Sequence, residues 1–270
     1  MSNALLRILT ALVGAPLVVG LLYLGGPPFV LLVVAMTLAM QYEMVALLQG
    51  AGLSAHRWPT LTLGALVVVV PIVPEVEPVL ALGLVVLALY SLFDARPVAH
   101  LLGGTLLSLA YPALCMAALV AVRLAPSPVL DDLELFLLTL SLFLFVWATD
   151  TCAYYVGKSI GRRPLAPSIS PKKTLEGSLG GLVGALIVGV GVKVWALPML
   201  DWGHLLALAA LCSIGGQLGD LLESRFKRQA GVKDSGRLLP GHGGVLDRFD
   251  GLLIAAPLAY LYLRYVAQVL

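Results

Sequence analysis

The sequence predicts an all-α, polytopic integral membrane protein with about nine transmembrane helices. Composition, run length and the sorting of charge carry that prediction. Of 270 residues, 60% are hydrophobic and 12% charged, and the mean hydropathy is +0.98. Soluble domains run near ~45–50% apolar and ~25% charged, so this apolar excess is more than a water-soluble core of this length can hide. The apolar residues fall in runs close to the ~20 that a helix needs to cross ~30 Å of hydrocarbon. No period-2 alternation marks them, which argues against a transmembrane β-barrel.

Nine apolar segments run in order along the chain, over roughly residues 5–24, 28–48, 60–74, 78–93, 101–124, 133–149, 178–198, 203–222 and 251–269. The first begins near Arg7 and runs through Pro16 to Leu24 with no small-x-small cleavage site after it. It therefore reads as a retained helix rather than a signal peptide. The third and fourth are short and flank Pro71, Pro74 and Pro78, a pattern that fits tilted, kinked or re-entrant helices. Residues 1–130 read as a scaffold of about five helices, and residues 131–270 as the part that carries a site. No internal repeat is visible, and no linker marks a second domain. Cys115, Cys152 and Cys212 are scattered without ligand spacing and read as small apolar fillers.

Charge sorts the loops. With the N-terminus and every second loop on one side, that side holds Arg7, Arg57, Arg96, Lys158, Arg162, Arg163, Lys172, Lys173, Arg225, Lys227, Arg228, Lys233, Arg237 and Arg248, which is 14 of the 17 Lys and Arg. The remaining three, Arg123, Lys193 and Arg264, fall within or near helix ends. The opposite loops carry Glu75, Glu77, Asp131, Asp132, Glu134 and Asp201. The positive-inside rule then puts the N-terminus in the cytoplasm and, for nine spans, the C-terminus outside. Two long loops, about 150–177 and 223–250, fall on the cytoplasmic side.

The second long loop, with its flanks from Gln217 to Asp250, is the densest polar stretch. Asp220, Glu223, Ser224 and Lys227 sit three and four apart, so a continued eighth helix puts them on one face. Asp247 and Asp250 are three apart at the start of the ninth. Two or three carboxylates gathered at a membrane edge suit a hard divalent cation such as magnesium. Between them lie Lys227, Arg228, Lys233, Arg237 and Arg248, with Asp234 and Ser235 and with Gly236, Gly241, Gly243 and Gly244. Glycines let backbone amides approach an anion, and bases neutralise phosphate. The combination suits a metal-bound polyphosphate. A solvated positive-inside loop explains the bases alone equally well; for the acids the alternative is charge pairing with those same bases, which explains poorly why Asp220, Asp247 and Asp250 sit at helix ends. His242 is either a phosphate donor or proton carrier, or a turn residue between Gly241 and Gly243.

The first long loop adds Asp150, expected to close the sixth helix and face the same site. Ser170, Lys172, Lys173 and Thr174 are candidate phosphate contacts before the seventh helix, whose N-terminus favours anions. Pro171 and Glu176 also mark that position as a helix start. Tyr154 and Tyr155 read as interfacial aromatics. His56, His100 and His204 have no polar company, and Glu43, near the end of the second segment, has no partner legible in the sequence.

The stretch from Ser224 to Asp250, S-R-F-K-R-Q-A-G-V-K-D-S-G-R-L-L-P-G-H-G-G-V-L-D-R-F-D, resembles the signature of phosphatidate cytidylyltransferases, also called CDP-diacylglycerol synthases. Ser170 to Gly177, S-P-K-K-T-L-E-G, resembles a second element of that family, as does Asp150-x-x-Ala153-Tyr154-x-x-Gly157. Arg7 to Pro16, R-I-x-x-A-L-V-x-x-P, is a weaker echo. The resemblance implies transfer of the cytidylyl group of CTP to phosphatidic acid, with release of pyrophosphate. It implies magnesium, with room for a second cation, held by Asp220, Asp247 and Asp250, with Lys227 completing the catalytic set. Phosphate contacts are then expected from Ser170, Lys172, Lys173, Thr174, Ser224, Arg228, Lys233, Asp234, Ser235, Arg237, His242, Gly243, Gly244 and Arg248. A homodimer in the inner (plasma) membrane, with the site facing the cytoplasm and no nucleic-acid partner, completes the expectation. A polyprenol kinase, a CDP-archaeol synthase or a transporter is the alternative. A transporter would carry its polar residues mid-helix, whereas here they lie at helix ends and in loops.

Overall fold

The computed structural model describes the backbone of residues 3–270, and the side chains of all of these except residues 3–9 and 11. The Arg7 side chain, and with it the start of the Arg7-to-Pro16 motif, lies outside the described residues. The chain divides into two compact units, Met1–Ala125 with Phe226–Phe249, and Pro126–Arg225 with Asp250–Leu270.

In the first unit, α1 (Asn3–Leu24) and α2 (Gly26–Gly50) lead into α3 (Arg57–Val69), α4 (Glu77–Tyr90), α5 (Val98–Ser108) and α6 (Cys115–Leu124). Helix α2 buries Phe29, Val33, Met40, Met44 and Leu48, close to the spacing of one helical face. Leu63, Leu87 and Leu109 form a smaller core with Leu66, Leu80, Leu84 and Leu102 around them. Helices α5 and α6 are one rod joined by a π-turn at Leu109–Leu114, with Pro112 inside it. Proline lacks the N–H that a regular helix uses, and the wider turn absorbs that loss.

The second unit is built from α7 (Asp132–Ile160), α8 (Leu175–Trp195), most of α9 (Trp202–Gln229) and most of α10 (Leu246–Tyr265). Helix α7 opens with a capping box. Asp131 Oδ1 accepts from the Glu134 N–H at 2.8 Å, and Glu134 Oε2 accepts from the Asp131 N–H at 2.8 Å, satisfying two donors the helix start leaves open. Helix α8 lies against α7 through glycines. A Cβ at Gly181 would stand 2.8 Å from the Thr149 carbonyl oxygen, and one at Gly184 2.5 Å from Cys152 Sγ. Small residues at this spacing let two backbones approach in an apolar medium. Helices α9 and α10 meet the same way, with the Asp250 carbonyl against Gly219.

Six helical stretches among the described residues are long and apolar enough to cross a membrane: Gly26–Gly50, Pro74–Phe93, Val98–Leu124, Asp132–Ile160, Leu175–Trp195 and Trp202–Gln229. Leu12–Leu24 and Arg57–Val69 are shorter apolar helices. Each of the nine apolar segments thus lies in a helix, and among the described residues length and apolarity mark six stretches as spans. Helix α10 falls short because Asp247, Arg248, Asp250 and Arg264 interrupt its apolar run.

The fold is helical as expected, with one small addition: β1 (Pro164–Ala166) and β2 (Ser170–Thr174) pair antiparallel, with Pro164 opposite Thr174 and Ala166 opposite Ser170. Two expectations need correction. The long loops are shorter than expected, because α7 continues to Ile160 and α9 to Gln229. Asp150 therefore sits within α7 rather than at its end.

The three bases off the charged side share one job. Arg123 donates to the carbonyls of Leu22 at 2.9 Å and Tyr23 at 3.2 Å, at the end of α1. Lys193 in the last turn of α8 reaches the Pro198 carbonyl at 2.5 Å, and Arg264 in the last turn of α10 reaches Leu270 at 2.6 Å. Each brings positive charge to the carbonyl-rich end of a helix.

Candidate active site

In the second unit, a cavity of about 550 Å³ is lined by Asp150, Ala153, Tyr154, Gly157 and Lys158 of α7, by Leu165, Lys172, Lys173 and Thr174 of the β-ribbon, and by Gly177, Ser178, Gln217 and Asp220 of α8 and α9. That volume lies within the range of small-ligand sites. The ribbon brings the basic strand Ser170–Thr174 to α7, so that Lys172 and Lys173 share the cavity wall with Asp150 and Asp220. The Lys173 ammonium forms an ion pair with Asp220. Ser224, one turn further along α9, donates to Asp220 Oδ1 at 3.2 Å. Thr174 caps α8, its hydroxyl accepting the Gly177 N–H at 3.1 Å. The cap is thus Thr174, with Glu176 turned back to accept the N–H groups of Arg162 and Arg163 at 3.0 and 3.2 Å. Ser170 pairs with Ala166 in the ribbon and does not line the cavity.

The first unit holds the glycine-rich loop. Leu239-Pro240-Gly241-His242 is a turn closed by the His242 N–H on the Leu239 carbonyl at 2.9 Å. Proline supplies the fixed φ of its second position, and Gly241, at φ +76°, the left-handed third. Asp247 organises the loop on either side of this turn. Its Oδ1 accepts from Lys227 Nζ at 2.7 Å, and its Oδ2 from the N–H groups of Ser235 and Gly244, both at 2.9 Å. The reach back to Gly244 has the form of a helix-start cap for α10. Asp234, Gly241, His242, Gly243 and Arg248 line a second cavity of about 360 Å³, and His242 Nδ1 is buried without a hydrogen-bond partner among the described residues. The Arg228 guanidinium bonds the Val232 carbonyl at 3.4 Å. Lys233 and Arg237 extend from the same loop.

Similarity along the whole chain carries the identification. The model of the cytidylyltransferase family matches residues 5–266. A protein of Brucella suis biovar 1 (strain 1330) named phosphatidate cytidylyltransferase is 39% identical over 269 residues, covering 97% of this chain and 94% of that protein. Proteins of the same name from Bacillus subtilis (strain 168) and Staphylococcus haemolyticus (strain JCSC1435) are 50% identical over 118 residues and 52% over 121. These two alignments cover 44% and 45% of this chain, and 44% and 46% of those proteins. The chain belongs to the cytidylyltransferase family.

The donor chemistry of this cytidylyltransferase fits a hard divalent cation, with one restriction. Among the described residues, no group of three or more His, Cys, Asp and Glu side chains is gathered tightly enough to hold a metal. Asp220 and Asp247 instead each hold a lysine ammonium, a positive charge where a cation would otherwise sit. Asp250 belongs to the same unit as Asp220, with its backbone carbonyl against Gly219 and its Oδ1 accepting the Gly251 N–H at 2.8 Å. Magnesium is commonly held by one or two carboxylates and completed by substrate phosphates and water, a requirement that the Asp220 carboxylate in the second unit or the Asp247 carboxylate in the first fits singly.

Two residues absent from the expected site sets stand at these elements, one in each unit. Tyr154, read as an interfacial aromatic within the Asp150-to-Gly157 element, lines the larger cavity. Glu43 binds the glycine-rich loop from within α2, 2% exposed. Its carboxylate accepts from Val245 and Leu246 N–H at 3.0 and 2.8 Å and from the Ser235 hydroxyl at 3.2 Å. No local sequence signal announces a partner about 200 residues away. The Ser235 hydroxyl, expected on phosphate, is directed to Glu43.

Proposed function

We propose that this chain transfers the cytidylyl group of CTP to phosphatidic acid, giving CDP-diacylglycerol and pyrophosphate, at the cytoplasmic face of the bacterial plasma membrane. One observation carries the reading at the site: a ligand-sized cavity whose wall combines Asp150 and Asp220 with Lys158, Lys172 and Lys173. The identity to proteins of that name over 97% of the chain supports it.

Both reactants are anions and one is fixed in the bilayer, so the reaction requires charge neutralisation at the interface. The nucleophile is a phosphate-monoester oxygen of phosphatidic acid. Its second pKa lies near ~6, so it is largely ionised at neutral pH and needs no strong general base. Its oxygen bonds to the α-phosphorus of CTP, the α–β bridging P–O bond breaks, and pyrophosphate leaves. Alignment and electrostatics then supply the catalysis, as in phosphoryl transfer generally. Lys172, Lys173 and Lys158 neutralise phosphate in the larger cavity, and Ser224 and Thr174 orient their neighbours there. Lys227, Arg228, Lys233, Arg237 and Arg248, with the N–H group of Gly243, do the same around the glycine-rich loop, and His242 donates within the smaller cavity; the Gly244 N–H is already given to Asp247. Asp220 and Asp250 in the second unit, and Asp247 in the first, are the carboxylates proposed to hold one or two magnesium ions. When bound, such a cation screens the charge of the triphosphate and of the leaving pyrophosphate. Lys173 and Lys227, which pair with Asp220 and Asp247 in the structure, are the bases next to these acids that would neutralise phosphate oxygens there. A homodimer is the proposed assembly.

Purified protein should release pyrophosphate from CTP only when phosphatidic acid and magnesium are both present. Pyrophosphate release that is indifferent to phosphatidic acid would refute the reading.

A further inference from the structure

We propose that Glu43 is a positioning residue: from within α2 it fixes the glycine-rich loop in the one arrangement that aims Asp247. The proposal rests on the reading of Asp247 as part of the catalytic machinery. A carboxylate in an apolar helix is costly to bury and persists only where hydrogen bonds compensate it. Three hydrogen bonds from the segment 235–246 supply that compensation at Glu43.

The two carboxylates divide that segment between them. Asp247 takes the N–H groups of Ser235 and Gly244. Glu43 takes the next two, Val245 and Leu246, together with the Ser235 hydroxyl. Ser235 therefore donates its backbone to one acid and its side chain to the other, so displacement of Glu43 is felt directly at Asp247. The packing around the carboxylate is tight. A Cβ at Gly244 would stand 2.5 Å from Glu43 Oε2, and one at Gly236 would strike the same carboxylate. Gly236 is thus accounted for by the Glu43 side chain, and Gly244 by Glu43 together with the Ser235 hydroxyl, independently of any phosphate.

The test uses Glu43→Gln, which keeps the volume but replaces one acceptor oxygen with a donor. It also uses Ser235→Ala, which removes a single hydroxyl and keeps the Asp247 contact. The first readout is amide hydrogen exchange in full-length protein without metal or substrate. Exchange across 234–246 should accelerate at least ~10-fold in Glu43→Gln, while α7 and α8 keep wild-type rates. The second is steady-state kinetics. The magnesium concentration for half-maximal rate should rise several-fold and kcat should fall, while KM for phosphatidic acid stays within about twofold. Ser235→Ala should show the same pattern more weakly, and the double variant should be no worse than Glu43→Gln. Wild-type exchange across 234–246 in both variants overturns the proposal, as does faster exchange with unchanged magnesium dependence and kcat, which is the signature of a purely structural staple. A wild-type protein that makes no CDP-diacylglycerol would instead sink the reading of the function, and the exchange result would still decide whether Glu43 holds the loop.

Discussion

Asp247→Asn is the most informative single change in the loop. The carboxylate is 4% exposed and accepts from Lys227 Nζ at 2.7 Å and from two backbone N–H groups at 2.9 Å. An asparagine offers one acceptor oxygen. Turned toward the backbone, it keeps the Ser235 and Gly244 bonds and points its NH2 at the Lys227 ammonium. Turned toward Lys227, it sets a donor against two N–H groups. The first arrangement costs less but leaves a lysine, 13% exposed, without this counter-charge. Removing one partner of a buried ion pair costs ~3–5 kcal/mol, and the remaining water access of Lys227 favours the lower end. If the transition state draws on that same charge, ~3 kcal/mol corresponds to about a 100-fold loss of kcat. The assay is magnesium-dependent pyrophosphate release from CTP and phosphatidic acid in mixed micelles. A variant within about threefold of wild type would refute the assignment of Asp247 to the chemistry.

Three further outcomes are expected. Lys173→Met should cut activity at least ~10-fold while shifting the unfolding temperature little, because the Lys173–Asp220 pair is 29% exposed on one side and 31% on the other and such pairs contribute at most ~1 kcal/mol. Gly181→Val should lower the unfolding temperature in detergent by several degrees, since its Cβ meets the Thr149 carbonyl and side chain at 2.8 and 3.0 Å and overpacking costs ~1–3 kcal/mol, whereas Gly103→Ala, with open space around it, should not. His56 provides a pH test. Burial and the Arg96 guanidinium hold its imidazole below the usual range despite Asp94 4.0 Å away. The unfolded chain therefore binds the proton first as pH falls, and stability declines as pH drops through about 6.5. His56→Gln should flatten the unfolding temperature between about pH 7 and about pH 5, and an unchanged slope would contradict the assignment.

Much of the architecture is legible in the sequence because long apolar runs have few alternatives. All nine segments lie in helices, and of the acids and bases singled out between 150 and 250, Asp150, Lys158, Lys172, Lys173 and Asp220 line one cavity and Asp234 and Arg248 another. Boundaries fail where a helix outlasts its apolar stretch. Helix α7 continues past Asp150 because nothing in Thr151–Val156 breaks it, and hydropathy alone ends it too soon. The β-ribbon is hidden in a proline-rich stretch of three- and five-residue strands. Thr174 is a legible cap residue, but Pro171 three positions earlier competes with it as a helix-start signal. Glu43 is visible as an acid in an apolar helix, yet its partners come from the far end of the chain, and only folding brings them to it.

The central claim is tested most directly by the fate of the phosphates of CTP. With CTP labelled separately at the α- and γ-phosphates and phosphatidic acid in mixed micelles, the α-label should appear in the lipid product and the γ-label in pyrophosphate. A γ-label in the lipid, with CDP as the soluble product, would mean a lipid kinase and would contradict the account.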